Sequence, residues 1–270
     1  MKTKYKIFIA KLLFIFFSFL IKTKFICKRN NINYNLNLEE VIDLYIFIFG
    51  KFESEIVDTA LKLNLSKKKI IIDIGANIGA QTLQFANQFK YSIVYSIEPT
   101  NYAYKKLINN LELNPFLYKR IKPFQLYIND IDCKPKKVHS SWSLTSNKKK
   151  HKEHKGIEKS ISNSKNVSLD KFILKNNINN VDFIKLDVDG SELKVLQSGK
   201  DFLFKKKPII FMELAPYLYP EFGYSILDLI NFIKKMNYDF YEMHPIKKID
   251  GVNSYINSIK PGSSKNIILM

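Results

Sequence analysis

The sequence predicts an α/β domain: a mostly parallel sheet with helices on both faces. Three observations carry this. Short β-branched runs of strand length alternate with amphipathic stretches of helix length. The strand runs are apolar nearly throughout, as in strands buried on both faces. The first clear run, from Lys69 to Ile74, passes directly into a glycine turn and a helix start. With 270 residues, 46% hydrophobic and 14% aromatic, the chain can bury a sizeable core, which excludes wholesale disorder and a fibre. Two cysteines, Cys27 and Cys133, supply neither a disulfide framework nor a cysteine-rich zinc cage.

In chain order, Leu38 to Phe49 and Glu53 to Leu63 are predicted helices, the second with Ile56, Ala60, Leu61 and Leu63 on one side. After the strand at Lys69 to Ile74, the pattern gives a helix over Ile78 to Phe89 and a strand over Ser92 to Ile97. Next come an amphipathic helix over Tyr102 to Leu113, closed by Asn114-Pro115, and a third strand over Phe124 to Ile128. Lys134 to Lys165 breaks the rhythm and is expected to be a long exposed loop. The alternation resumes with helices at Leu169 to Leu174, Glu192 to Leu203 and Ile226 to Met236. Strands are predicted at Val181 to Leu186, Pro208 to Leu214, Tyr238 to Met243 and Asn266 to Met270. Ligands of such sheets bind beyond the carboxyl ends of the strands.

The net charge of +18 is concentrated. Residues 1–30 hold eight basic residues and no acidic one, and residues 134–165 hold ten lysines against Glu153 and Glu158, so these two segments account for +16. The remaining body is near neutral. All basic residues but Arg29 and Arg120 are lysine, and the scarcity of the planar guanidinium fork argues against nucleic acid as the partner. At the amino terminus an apolar run from Ile7 to Ile21 is interrupted by Lys11 and flanked by lysines. Fifteen helical residues span roughly 22 Å, short of a hydrocarbon layer of roughly 30 Å. Residues 1–30 are therefore expected to be a segment anchored in or lying on an anionic membrane face, with 31–270 as the domain proper. A helix packed on the domain and a signal peptide are the alternatives left open. The expected location is the cytoplasm, at or near the inner membrane face.

The stretch Asp73-Ile74-Gly75-Ala76-Asn77-Ile78-Gly79-Ala80 carries most of the functional information. A strand that turns on glycine into a helix points backbone N–H groups at a ligand. Glu98, at the end of the next strand, can accept from both hydroxyls of a ribose. A dinucleotide fingerprint would have glycine where Asn77 stands, and no phosphate loop is present. A ribose carboxylate without a pyrophosphate cradle favours a phosphate-free nucleoside such as S-adenosylmethionine. At the fourth main strand, Asp187, Asp189 and Glu192 end a strand and open a helix. A carboxylate there can take the proton of an acceptor hydroxyl, with Asp187 the first candidate and Glu192 and Asp189 next. The competing reading of Asp189 and Glu192 is a helix cap. No metal is expected, since too few oxygen ligands can be named.

Four blocks in order resemble the FkbM-type methyltransferases: Ile72 to Gly79; Ile97-Glu98-Pro99 with Asn109, Asn110 and Asn114; Ser168-Leu169-Asp170 with Phe183 to Glu192; and Pro208 to Glu213. The sequence departs from the family pattern at Asp189 and Ser191, where Glu and Ala are usual, and in its long lysine-rich loop. The resemblance implies a Rossmann-like class I fold, seven strands with the last antiparallel. It also implies S-adenosylmethionine held by Gly75, Asn77 and Gly79, with its ribose on Glu98. Asp73 would face the cofactor's amino-acid moiety and Asp130 would approach the adenine amino group. Glu213 and His244 are candidates to line the acceptor pocket. By family association, the acceptor is expected to be a sugar hydroxyl of a surface glycan or glycolipid. Methylation of RNA or another polyanion, and a non-catalytic binding module that kept the fold, are the alternatives.

Overall fold

The computed structural model describes residues 3–63, 70–130, 136–140, 142–146, 150–151 and 155–270; Lys69, Cys133, Lys134 and Glu153, named above, lie outside them. The chain begins with helix α1 (Thr3–Leu20), the hairpin β1 (Lys24–Arg29) and β2 (Ile32–Asn37), and helices α2 (Val41–Phe49) and α3 (Glu55–Lys62). Then follow β3 (Ile70–Ile74), α4 (Ala80–Gln88), β4 (Ile93–Ile97), α5 (Asn101–Glu112), α6 (Pro115–Tyr118), β5 (Ile121–Phe124) and β6 (Leu126–Ile128). The second half holds β7 (Lys137–Ser140), β8 (Ile157–Ser160), β9 (Lys165–Val167), α7 (Leu169–Lys175), β10 (Phe183–Leu186), α8 (Glu192–Ser198), α9 (Lys200–Lys206) and β11 (Ile209–Leu214). A short 3-10 turn (Tyr219–Phe222), α10 (Ile226–Lys235), β12 (Phe240–Met243), β13 (Ile246–Lys248), α11 (Val252–Asn257) and β14 (Lys265–Leu269) complete it.

The main sheet runs in the order β13-β12-β14-β11-β10-β3-β4-β5. Strands β5, β4, β3, β10 and β11 are mutually parallel, whereas β14 is antiparallel to both β11 and β12. This is the expected seven-stranded arrangement with its last strand reversed. An eighth strand, β13, is added at the edge by a hairpin with β12. Both faces are covered. Ile72, Ile74, Tyr95, Leu186 and Met212 pack on one side against Phe172, Leu193, Leu196 and Leu229. On the other side, Ile71, Val94, Phe183, Phe211 and Ile268 meet Leu83, Phe85 and Leu107. Successive residues of a strand face opposite layers, so Asp73 shares the face of Ile71 and lies in register with Lys185 on β10 and Ser96 on β4.

Four expectations are corrected. The third strand of the sheet is Ile121–Phe124; the anticipated run of Phe124 to Ile128 is split, and Leu126–Ile128 instead pairs in parallel with Lys165–Val167 outside the main sheet. Pro123 is tolerated because β5 is the edge strand, where one row of N–H groups goes unused. The lysine-rich stretch is not simply a solvated loop. Strands β7 and β8 pair as an antiparallel hairpin, and Ile157, Ile161 and His151 are buried. The helix expected over Glu192 to Leu203 breaks at Gly199, where a Cβ would stand 2.5 Å from Leu169 Cδ2. Finally, the division at residue 30 falls in the β1–β2 hairpin turn, with Asn30 and Asn31 both left-handed, so only α1 precedes the paired strands.

The β1–β2 hairpin is fixed to the domain by asparagines of α5. Asn110 Oδ1 accepts from the Asn35 N–H at 2.9 Å and Asn114 Oδ1 from the Asn33 N–H at 2.9 Å, while Asn114 Nδ2 donates to the Asn33 carbonyl at 2.7 Å. The spacing fits: four helical residues rise about 6 Å and two strand residues about 6.6 Å. The side chains thus stand in for a neighbouring strand along the open edge of β2. Asn110 Nδ2 also donates to Ile78, just after the glycine turn, at 2.9 Å. Asn110→Ala and Asn114→Ala should each lower stability by about 1–3 kcal/mol in urea unfolding, the cost of stranding buried polar groups. A loss within experimental error for both would show that the edge is held otherwise.

Candidate active site

A cavity of about 1310 Å³ lies beyond the carboxyl ends of β3, β4, β10 and β11, where an open α/β sheet binds ligands. Its polar floor is built by Gly75 to Ile78, Ile97 to Thr100 and Asp187 to Asp189, and its far wall includes Glu213, Tyr217 and His244. Gly75 has φ +83°, and a Cβ there would stand 1.7 Å from the Asp187 carbonyl oxygen, so only glycine lets the two strand ends approach this closely. Gly79, also at φ +83°, is needed for a different contact. A Cβ there would meet Leu107 Cδ1 at 2.5 Å, so it serves packing of α4 on α5 and does not line the cavity.

Four of the turn's N–H groups are consumed within the protein. Those of Gly75 and Ala76 donate to the Ile97 carbonyl at 2.9 and 3.0 Å, that of Gly79 to Ala76 at 2.9 Å, and that of Asn77 to Glu98 Oε2 at 2.9 Å. Those four N–H groups therefore do not point at a ligand, contrary to the sequence-based expectation, and are not available to a pyrophosphate. Glu98 is 3% exposed, and its Oε1 accepts from the N–H and hydroxyl of Thr100 at 2.8 and 2.6 Å. Burial pushes its carboxyl up, against the pull of these hydrogen bonds from Thr100 and Asn77. A carboxylate offers about four acceptor positions, and three are taken here, so capacity remains for a hydroxyl presented from the cavity it lines. These residues fit a phosphate-free nucleoside.

Asp187, Asp189 and Glu213 bring carboxylate oxygens within 4.8 Å of one another. Burial and the nearby Asp187 hold Glu213 well above the usual carboxylate range. Oxygen donors so grouped could take a hard cation, but a positive charge already stands there. Lys185 Nζ lies 3.3 Å from Asp187, 3.5 Å from Asp73 and 2.8 Å from the Gly75 carbonyl. Burial works against its charge, and the two carboxylates more than offset that, so the ammonium is held above its ordinary range.

Two candidates for contact with ligand lie elsewhere. Asp73 is fully buried on the α4 side of the sheet, where Thr82 donates to it at 2.5 Å, and it does not line the cavity. Strand alternation turns it beneath the glycine turn, where it holds Lys185. Asp130 is exposed at the end of β6 and is likewise absent from the cavity wall. Glu192 is fully buried, its Oε1 accepting from the Val188 and Gly190 N–H groups at 3.2 Å each, so it braces the loop that carries Asp187 and Asp189. Asp189 itself lines the cavity in a left-handed conformation.

The site also contains groups that sequence reasoning passed over. His151, 8% exposed, places Nε2 2.8 Å from both carboxylate oxygens of Glu221, with His139 packed edge-on at 4.8 Å, and all three line the cavity. The only sequence signal was a histidine inside a lysine run, which composition marks as solvated.

Burial pushes the Glu192 carboxyl up to about 8, against its backbone hydrogen bonds. The folded state therefore keeps a proton that the unfolded chain releases from about pH 4.5 upward, so this group's contribution to stability is present at low pH and lost as pH rises to about 8. Glu192→Gln, which cannot ionise, should fold and show a flatter dependence of Tm on pH across that window. An unchanged slope would mean that Glu192 is not the buried acid responsible.

The methyltransferase FkbM domain model matches residues 73–240, more than half of the chain. No curated protein sequence matches. Among solved structures, the chain is similar to an FkbM methyltransferase from Methylobacillus flagellatus KT, at 18% identity and a TM-score of 0.45, covering 75% of this chain and 43% of that one. It is also similar to M. jannaschii TYW2 in complex with AdoMet, at 17% identity and a TM-score of 0.46, covering 92% and 85%. A third similar structure is Aeropyrum pernix fibrillarin with natively bound S-adenosyl-L-methionine, at 10% identity and a TM-score of 0.45, covering 92% and 82%. The chain spans less than half the length of the Methylobacillus protein. By the extent of the domain match, the chain belongs to the methyltransferase FkbM domain family.

Proposed function

We propose that the protein is an O-methyltransferase acting on a sugar hydroxyl of a surface polysaccharide or glycolipid, at the cytoplasmic face of a membrane. One observation supports the donor side above all. Glu98 faces the cavity with acceptor capacity to spare, beside a turn whose Gly75, Ala76, Asn77 and Gly79 N–H groups are already taken within the protein. Glu98 would accept from a ribose hydroxyl, with Gly75 to Asn77 and Ile97 to Thr100 as the walls around the nucleoside. When bound, the cofactor would supply an electrophilic methyl group on a positively charged sulfur, and the neutral thioether left behind needs no acid catalyst to depart.

The chain's own task is then to position the acceptor oxygen and to take its proton. Asp187, with 31% of its side chain exposed to the cavity, is the candidate base, and Lys185 fixes its orientation. The His151–Glu221 pair on the same cavity is placed to bind further hydroxyls of a polyhydroxylated acceptor. The scarcity of arginine weighs against RNA as acceptor.

Calorimetry should show S-adenosylmethionine binding, weakened about 10- to 100-fold by Glu98→Ala, the loss of hydrogen bonds to a charged group. Asp187→Asn should lower kcat by about 100-fold or more with little change in cofactor affinity. With a radiolabelled methyl donor and crude envelope fractions, the label should be recovered as a methyl-ether sugar after acid hydrolysis. Label recovered in RNA would overturn the acceptor class, and absence of cofactor binding would overturn the activity.

A further inference from the structure

Helix α1 is apolar on two sides, and only one is covered by the domain. Ile7, Ala10, Leu13, Phe14 and Phe17 pack toward Leu38, Leu44 and Phe47. On the opposite side Phe8, Leu12, Ile15, Phe16 and Phe19 recur at helical spacing and are 52 to 85% exposed. An exposed row of this size on a folded domain marks an interaction surface. Its surroundings say what covers it. Residues 1–30 carry eight basic residues and no acidic one, and Lys11, Lys22, Lys24 and Lys28 are exposed. Apolar side chains bordered by lysine complement an anionic bilayer, whose headgroups take the ammonium groups while its acyl region takes the rings. No helix among the described residues is long and apolar enough to cross a membrane.

The same helix belongs to the wall of the methyl-donor cavity. Ile7, Ile9, Ala10 and Leu13 line it, together with Tyr45, Ile48 and Phe49 of α2. Ile9, Tyr45 and Phe49 are also 43 to 58% exposed, so the rim of the cavity is part of the outer apolar surface. One space thus runs from a polar floor at Glu98 and Asp187 to an apolar mouth beside α1. A free, fully hydrophilic sugar would have no use for such a mouth.

We propose that α1 lies flat on an anionic membrane and that the acceptor is an amphiphile, its acyl or prenyl chain entering past Ile9, Tyr45 and Phe49 while its hydroxylated head reaches Asp187. The choice of a hydroxylated head rests on the function proposed above; membrane docking and chain entry do not. With full-length protein, flotation should show binding to phosphatidylcholine vesicles containing phosphatidylglycerol, and at least about tenfold weaker binding to phosphatidylcholine alone. Leu12→Glu combined with Phe19→Glu, both exposed and outside the cavity wall, should abolish flotation and leave S-adenosylmethionine affinity unchanged. Trp142, the single tryptophan, lines the cavity. A brominated long-chain alkyl glycoside should therefore quench its fluorescence below the micellar concentration, and a methyl glycoside should not compete. Flotation that ignores lipid charge or survives the double substitution would overturn the docking, as would a stable dimer that this substitution dissociates. Trp142 unaffected by the long-chain probe would overturn the entry route. Cofactor binding, measured separately, distinguishes either failure from failure of the methyltransferase reading.

Discussion

Lys185 carries its ammonium into the gap between β3 and β10, within 3.5 Å of Asp73, 3.3 Å of Asp187 and hydrogen-bonded to the Gly75 carbonyl. The floor of the cavity depends on this charge. Two carboxylates at adjacent strand ends would otherwise repel at close range, in a place where water cannot screen them. With the ammonium between them, Asp73 can be fully buried and Asp187 can be held at the cavity edge. The glycine at 75 lets the strand ends close on each other, since any Cβ would run into the Asp187 carbonyl. Removing one partner of such a buried group costs more than the group contributes when whole, so the four elements stand or fall together.

The cavity built on that floor is chemically divided. At one end are Glu98, Asp187, Asp189, Glu213 and the His151–Glu221 pair, a concentration of polar atoms in a poorly solvated place. At the other end the wall is made of aliphatic and aromatic side chains from α1 and α2. The division follows from where the chain comes from. The polar end is made by strand termini, which every sheet of this topology exposes at its carboxyl edge. The apolar end is contributed by the amino-terminal segment, which lies outside the matched family domain of residues 73–240. The polar end thus lies mostly within the matched family domain, and the apolar end largely precedes it.

Several residues were visible in the sequence but given a different job by the structure. Asp73, Gly79 and Glu192 all fall in the motifs that identify the family, yet none of them lines the cavity. Asp73 anchors Lys185, Gly79 admits Leu107, and Glu192 braces the Val188–Gly190 loop. A motif records which side chains a site needs without recording which of them touch the ligand. Asn110 and Asn114 are a further case: they belong to the second block, and their work is to complete the edge of β2.

The reversed last strand came with the family resemblance, while from the sequence alone came the parallel strands, the glycine turn, Glu98 at the end of the second main strand and the acidic strand end. Each of these is local: period, turn chemistry and spacing are set by neighbours in the chain. Tertiary structure alone decided that β6 leaves the sheet to pair with β9, that His151 meets Glu221 and that α1 roofs the cavity mouth. These contacts join residues far apart in the chain, and their energies come from surfaces that exist only after folding. A lysine-rich run looks solvated until a buried isoleucine hairpin pulls one histidine out of it.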